Sequence, residues 1–226
     1  DNPFKKGVLN PLMFPHVAIA DPELTRGLPA WLTAATGIDA FMHALETFVG
    51  RRANPFTDRL AVAAMETAWN YLPRATAKGD DMPAREQMML AALWGGMAMD
   101  HAGLGLVHAL SGPLTSHLHL HHGLANGVIL PYVVDFNLPA ISAAKRETLA
   151  HIFGLDSSAD DETLVNALFN FVRDLGLPIS LNELDIALEN VDWEMIAEET
   201  TRMFLIHNNP REATESDCLV ILEQMQ

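Results

Sequence analysis

The chain has a single cysteine, Cys218, among 226 residues. One thiol excludes an intrachain disulfide framework and the thiolate sets of zinc ribbons and iron–sulfur centres. It fits a reducing compartment, and the cytoplasm is the expected location. Positive charge is also scarce: 14 Lys and Arg stand against 29 Asp and Glu, a formal net charge of −15. The basic residues occur singly or in pairs, so the footprint that nucleic acid or an anionic membrane surface requires is missing. A small or neutral partner is expected instead. No uninterrupted apolar run approaches the roughly 18–20 residues of a membrane span, and no basic segment leads into an apolar one near the start. Strand–helix alternation is absent, as is a glycine-rich strand-to-helix turn for a dinucleotide. Gly103-Leu104-Gly105 matches such a turn only in part; with no strand before it, it reads as a helix start or a close-packing point.

What is present is a core and a run of helix signals. At 49% hydrophobic and 19% charged, the chain can bury a sizeable interior. After Pro29 apolar residues recur at three- and four-residue spacing up to Gly50. Asn54-Pro55 reads as N-cap and first-turn proline of a helix running to about residue 72, and Pro83 opens another through residue 102 in which Gly95-Gly96 is expected to allow close packing. Segments 103–114 and 122–137, then 141–153, then 161–176 with Asp160 or Asp161 as cap and Gly176 as stop, then 193–204 and 215–225 complete an all-α, bundle-like fold. Only residues 12–20 look strand-like, and Pro15 demotes them to an edge or a tail.

Chemistry concentrates in three segments that contain Asp39 and His43, His108, and His122. Asp39 and His43 are four apart, so on a helix they project from one face and can grip one ion. A carboxylate inside an otherwise apolar helix is costly to bury alone, which favours a paired or metal-bound role over an ordinary exposed Asp. His108 sits in an apolar segment where a satisfied core histidine is the ordinary alternative. In His117-Leu118-His119-Leu120-His121-His122, the alternation gathers histidines on one side only if the stretch is extended. His122, just before Gly123 and an apolar run, is placed at a helix start where its ring can point inward. Three imidazoles and one carboxylate suit first-row divalent ions and disfavour Ca²⁺ and Mg²⁺.

The stretch AIADPELTRGLPAWLTAATGIDAFMHALE resembles the first signature of the iron-containing (group III) alcohol dehydrogenase family, and GLGLVHALSGPL with HHGLANGVILPYVVDFN resembles its second region. The tail HNNPREATESDCLVILE is similar to the family's C-terminal end. The resemblance implies that Asp39, His43, His108 and His122 are the metal ligands, with Fe²⁺ expected and Zn²⁺ as the alternative. It implies an alcohol–aldehyde or alcohol–ketone dehydrogenase using NAD(P), whose N-terminal nucleotide-binding domain precedes a helical metal domain, the relative of dehydroquinate synthase-like folds. Residues 1–226 then form that helical domain, residues 1–20 are the junction to the nucleotide-binding part, and the cofactor contacts fall mainly outside this chain. A homo-oligomer is expected, as is a piece of a longer protein, since the chain starts at Asp1 rather than Met. Alone it is expected to lack hydride transfer.

Many family members carry a histidine four residues after the third ligand; here that position is Gly112. Any proton relay must then use Ser111, His119 or His121, or water. His101 is expected as a charge partner at a helix C-terminus, and Glu46 as a partner of a ligand histidine or as a structural ion pair. Two other classes compete: a metal-dependent hydrolase, against which stands the absence of His-Asp and HExxH, and a non-catalytic metal-binding or assembly module packing through Met-rich faces.

Overall fold

A computed structural model describes residues 10–226, and the first nine residues of the expected junction lie outside the described part. The described residues form nine α-helices joined by short connections and 3-10 turns: α1 (Ala30–Val49), α2 (Pro55–Ala77), α3 (Met82–Ala102), α4 (Leu106–Leu118), α5 (His122–Asn137), α6 (Ala143–Ile152), α7 (Asp161–Asp174), α8 (Trp193–Arg202) and α9 (Glu215–Gln224). No strand occurs among the described residues. The segment expected as an edge strand makes a 3-10 turn at Pro11–Met13 and then runs to Asp21 with Val17 and Ile19 exposed. Its alternation is real, but a strand needs a neighbour to accept its backbone ladder, and none lies in the described chain.

Helix α1 is the axis of the fold. From Thr33 to Val49 most of its residues are buried, and it packs against α2, α3 and α5. A helix that is apolar nearly all round belongs inside, surrounded by others. Phe41, on the opposite side of α1 from Asp39 and His43, joins Trp69, Phe153 and Phe171 in an aromatic core; Trp69 stacks on Phe171 with ring centroids 4.1 Å apart and on Phe153 at 4.5 Å. This side anchors α2, α6 and α7 and leaves the other free for polar groups.

Local signals set the ends. Asn54 caps α2 through a reciprocal capping box with Thr57, and Asp81 caps α3 by accepting from the Ala84 amide. Helix α2 passes through Pro73 to Ala77 instead of stopping at residue 72, because Leu72 and Ala75 are buried against the core and outweigh one lost backbone bond. Asp160 caps α7, and Gly176, at φ +73°, turns the chain away after it.

Two close approaches fix the walls of the future site. An added Cβ on Gly95 would lie 3.0 Å from the Ala40 carbonyl oxygen and 3.6 Å from His43 Cβ, so α3 lies directly against the Asp39–His43 stretch of α1. Gly96 faces open space and does not share that role. Gly123 is tighter: a Cβ there would stand 2.1 Å from the Ala35 carbonyl oxygen. Only a residue without a side chain lets the start of α5, and with it His122, come this near α1.

The C-terminal turn 207–210 supplies the remaining ties. Asn208 accepts from the Arg52 amide at 3.0 Å and donates to the carbonyls of Ala102 and Leu104 at 2.9 and 3.0 Å. Asn209 accepts from the Leu106 amide at 3.2 Å and exchanges bonds with Asn137. Together they tie the end of α1, the α3–α4 turn, the start of α4 and the end of α5. Gly123→Ala should force α5 off α1, since the obstructing atom is backbone; overpacking of this kind costs about 1–3 kcal/mol. The expected outcome is a lower thermal midpoint with helical circular dichroism retained, and an unchanged midpoint would show that α5 can shift freely.

Candidate metal centre

Asp39 lies one turn before His43 on α1, and the His43 Nε2 stands 3.5 Å from Asp39 Oδ1. The ring of His108, in the first turn of α4, brings its Nε2 to 3.3 Å from the same oxygen, and His122, the first residue of α5, brings its Nε2 to 3.9 Å. Three imidazole nitrogens therefore converge around one carboxylate oxygen. The donor atoms of Asp39, His43 and His108 all lie within 4.8 Å of one another; His122 approaches Asp39 from the α5 side without joining that close group. In a tetrahedral site with bonds of about 2.1 Å, neighbouring donors sit roughly 3.4 Å apart. The three spacings from Asp39 bracket that edge, so the donor set fits a first-row divalent ion; its nitrogen content and lack of sulfur argue against Ca²⁺ and Mg²⁺ and remove the strongest preference for zinc.

Outer contacts orient two of the rings. Glu46, 4% exposed, receives His108 Nδ1 at 2.5 Å with one carboxylate oxygen and the Val107 amide at 2.7 Å with the other. Its first bond fixes a proton on Nδ1 and turns Nε2 toward Asp39, where without an ion it too is protonated, and where loss of that proton frees its lone pair for a metal. The second fixes the start of α4. Glu46 thus pairs with His108 through a hydrogen bond that is also an ion pair while the ring is protonated. Ser111 Oγ is buried and 3.4 Å from His122 Nδ1, the ring nitrogen on the side away from Asp39.

The electrostatics match this arrangement. Burial alone would raise the Asp39 pKa, but its bond to His108 and the surrounding imidazoles hold the carboxyl well below the usual carboxylate range. Burial pushes His43 down, against the pull of Asp39, toward the neutral imidazole that a metal requires. For His108, burial also pushes down, yet Glu46 and Asp39 prevail and raise it to about 9.

The other singled-out residues lie elsewhere. His117 pairs with Glu199 of α8 at 2.8 Å, His119 ends α4 in a left-handed conformation at φ +54° and is exposed, and His121 meets Trp31 edge-on with ring centroids 5.6 Å apart. The histidine tract thus disperses, and His122 alone among these four histidines joins the centre. At Gly112 an added Cβ would meet the Met203 methyl at 3.2 Å, so that position faces a thioether. His101 occupies the last turn of α3 as expected, edge-on to Phe56. Gly103 and Gly105 flank the α3–α4 turn, where a Cβ on Gly105 would sit 3.1 Å from Glu46 Oε1; this is close packing, not a phosphate cradle. One residue went unread in the sequence: Asn126, one turn after His122, whose side chain contacts Asp39, His108 and His122. Its helical spacing from His122 was the available signal.

The model of the Fe-containing alcohol dehydrogenase family, C-terminal, matches residues 33–226. The chain belongs to this family. It is 38% identical, over 97% of its length, to the NAD-dependent methanol dehydrogenase of Bacillus methanolicus, of which the match covers 58%. It is 36% identical to the 1,3-propanediol dehydrogenase of Citrobacter freundii, across 93% of this chain and 55% of that protein. Among solved structures, a 1,3-propanediol oxidoreductase superposes with TM-score 0.85 at 36% identity, covering 91% of this chain and 55% of that one. An archaeal halo-thermophilic Red Sea brine pool alcohol dehydrogenase reaches TM-score 0.89 at 28% identity, covering 99% and 58%. The chain spans somewhat over half the length of these relatives.

A group whose pKa is raised by folding adds stability that is complete below its unfolded value and fades as pH rises through the folded one. His108 therefore stabilises the metal-depleted chain near pH 6 and loses that contribution between about pH 6.5 and about 9. Glu46→Gln removes a main source of the rise, so the fall in urea midpoint from pH 6 to 9.5 should shrink in that variant; the His108 ring proton followed by NMR should titrate at lower pH. Equal titration in both proteins would deny Glu46 this role.

Proposed function

We propose that this chain is the metal-binding and substrate-pocket domain of an NAD(P)-dependent, iron-type alcohol dehydrogenase, with Asp39, His43, His108 and His122 as the protein ligands of one divalent ion. The observation that carries the reading is the convergence of three imidazole nitrogens on Asp39 Oδ1 in a chain of this family. Fe²⁺ is the ion proposed, with Zn²⁺ as the alternative that the same donors accommodate. A divalent cation held there supplies Lewis-acid charge, lowering the pKa of an alcohol hydroxyl or polarising an aldehyde or ketone carbonyl.

The chain's own residues prepare that site. Asp39 stays ionised and brings one negative charge to a largely buried place. His43 is kept toward its neutral form by burial, and Glu46 holds the Nδ1 proton of His108 so that the ring's other nitrogen faces inward. Ser111 stands behind His122 in the same sense. Ile38, Met42, Val107 and Leu110, neighbours of these residues along α1 and α4, are buried and apolar, which strengthens charge interactions beside them.

Named relatives act on methanol, 1-propanol and 1,3-propanediol, which supports a small primary alcohol and its aldehyde as the substrate pair. The nicotinamide cofactor, in this proposal, is held mainly by a nucleotide-binding domain outside this chain, with residues 1–20 as the junction to it. Cytoplasmic location is proposed from the single cysteine: Cys218 is fully buried, and burial together with Asp217 and Glu215 pushes its thiol up to about 12. No helix among the described residues is long and apolar enough to cross a membrane.

Metal analysis of the reconstituted chain tests the reading. About one ion per chain is expected, and Asp39→Ala and His122→Ala should each weaken binding by more than the roughly 10–100-fold that loss of an outer partner costs. Metal content unchanged in both variants would sink the assignment, and the identity of the retained ion separates iron from zinc.

A further inference from the structure

Asn126 is fully buried in α5, and its carboxamide is satisfied on one side only. The amide nitrogen lies 2.6 Å from Asp39 Oδ1 and 3.3 Å from the Nε2 atoms of both His108 and His122. The carboxamide oxygen, equally buried, meets no donor. Leaving such a group unpaired costs about 1–3 kcal/mol, so a residue kept for packing alone would be apolar here. The half of the side chain that is paired makes its contacts with three of the four proposed ligands.

We propose that Asn126 is a positioning residue of the metal centre, donating an N–H bond that fixes the Asp39 carboxylate for coordination. This rests on the metal assignment made above. The chemistry of the contacts selects Asp39 as the partner. A carboxylate oxygen has lone pairs for both an ion and an amide hydrogen, whereas each Nε2 has one lone pair, which an ion takes. The two 3.3 Å contacts are therefore the ones that yield to an ion, and the 2.6 Å bond is the one that persists.

Geometry gives the bond a second effect. His122 and Asn126 are four apart on α5, as Asp39 and His43 are on α1, so two facing helices each present an adjacent pair toward the same point. The Asn126–Asp39 bond locks those pairs in register. The His122 distance from Asp39, 3.9 Å, is the longest of the three, and it is the one that depends on how α5 is held. Glu46 orients His108 from outside the donor set and Ser111 orients His122; Asn126 does the same for the carboxylate.

The test compares the full chain with Asn126→Leu, which keeps the branched shape and removes both polar atoms, and with Asn126→Ala. Three quantities are read: the Co²⁺ dissociation constant by competition with a chromophoric chelator, the Co²⁺ d–d absorption spectrum, and the thermal midpoint in excess EDTA. The expected result is affinity lower by about 10–100-fold and an altered d–d spectrum, a loss larger than any change in the EDTA midpoint accounts for. Should the Leu variant not fold, the Ala variant is read alone against the same criteria. Parent-like affinity and spectrum in the folded variants overturn the proposal, and so does a loss of affinity that only tracks a fall in the EDTA midpoint, which would make Asn126 a packing residue. A parent chain that binds no Co²⁺ overturns the metal assignment itself, an outcome distinct from both.

Discussion

The buried carboxylate of Glu46 is the interaction on which the rest of the centre depends. It joins α1 to the first turn of α4 and to the His108 ring, through its own helix, the Val107 amide and His108 Nδ1. The first amides of a helix have no intrahelical partner, and an anion beside them is favoured by the helix dipole. Gly105, the N-cap of α4, has no side chain to offer, so Glu46 and Asn209 serve the exposed amides from other parts of the chain. One side chain thereby caps a helix and chooses the tautomer of a histidine. Detaching it would leave an uncompensated carboxylate in a nearly dry place, a costly state.

Around that bond the molecule divides its labour across α1. On one side Phe41 enters the aromatic stack with Trp69, Phe153 and Phe171; on the other Asp39, His43 and Glu46 meet α4 and α5. The aromatic side gives the rigidity that the polar side needs, because donor atoms are useful to an ion only if they stay within a few tenths of an ångström of their places. Close backbone contact at Gly123 and Gly95 makes the polar side narrow enough for short side chains to meet.

Much of this was readable from particular residues. The Asp39–His43 spacing announced a shared helix face, Asn54-Pro55 announced a capped start, and the apolar setting of Asp39 announced a partner. Spacing could not reveal that His108 and His122 belong with them, since the fold brings them across some seventy to eighty positions; the resemblance supplied that link. Residues 12–20 misled because alternation describes a strand's faces and says nothing about whether a neighbouring strand exists. Helix α2 outruns its expected end near residue 72 because burial of Leu72 and Ala75 outweighs the helix-breaking tendency of Pro73. Asn126 and the Asn208–Asn209 ties escaped notice because an amide carries no charge and no motif; its importance comes from what the fold places beside it.

The separation of the donors along the chain also orders events during synthesis. Helices α1, α2 and α3 follow one another and pack mutually, so they can associate as soon as residue 102 has emerged, while α4 and α5 must return to α1 across a long loop. Until His122 has left the ribosome, the growing chain offers an ion only the Asp39–His43 pair and His108, without the closing ligand or the amide of Asn126. A complete grip arises at the end of that return, when α5 slides Gly123 against Ala35. The four proposed ligands are thus assembled by the first five helices, before α6 to α9 and the 207–210 ties are added.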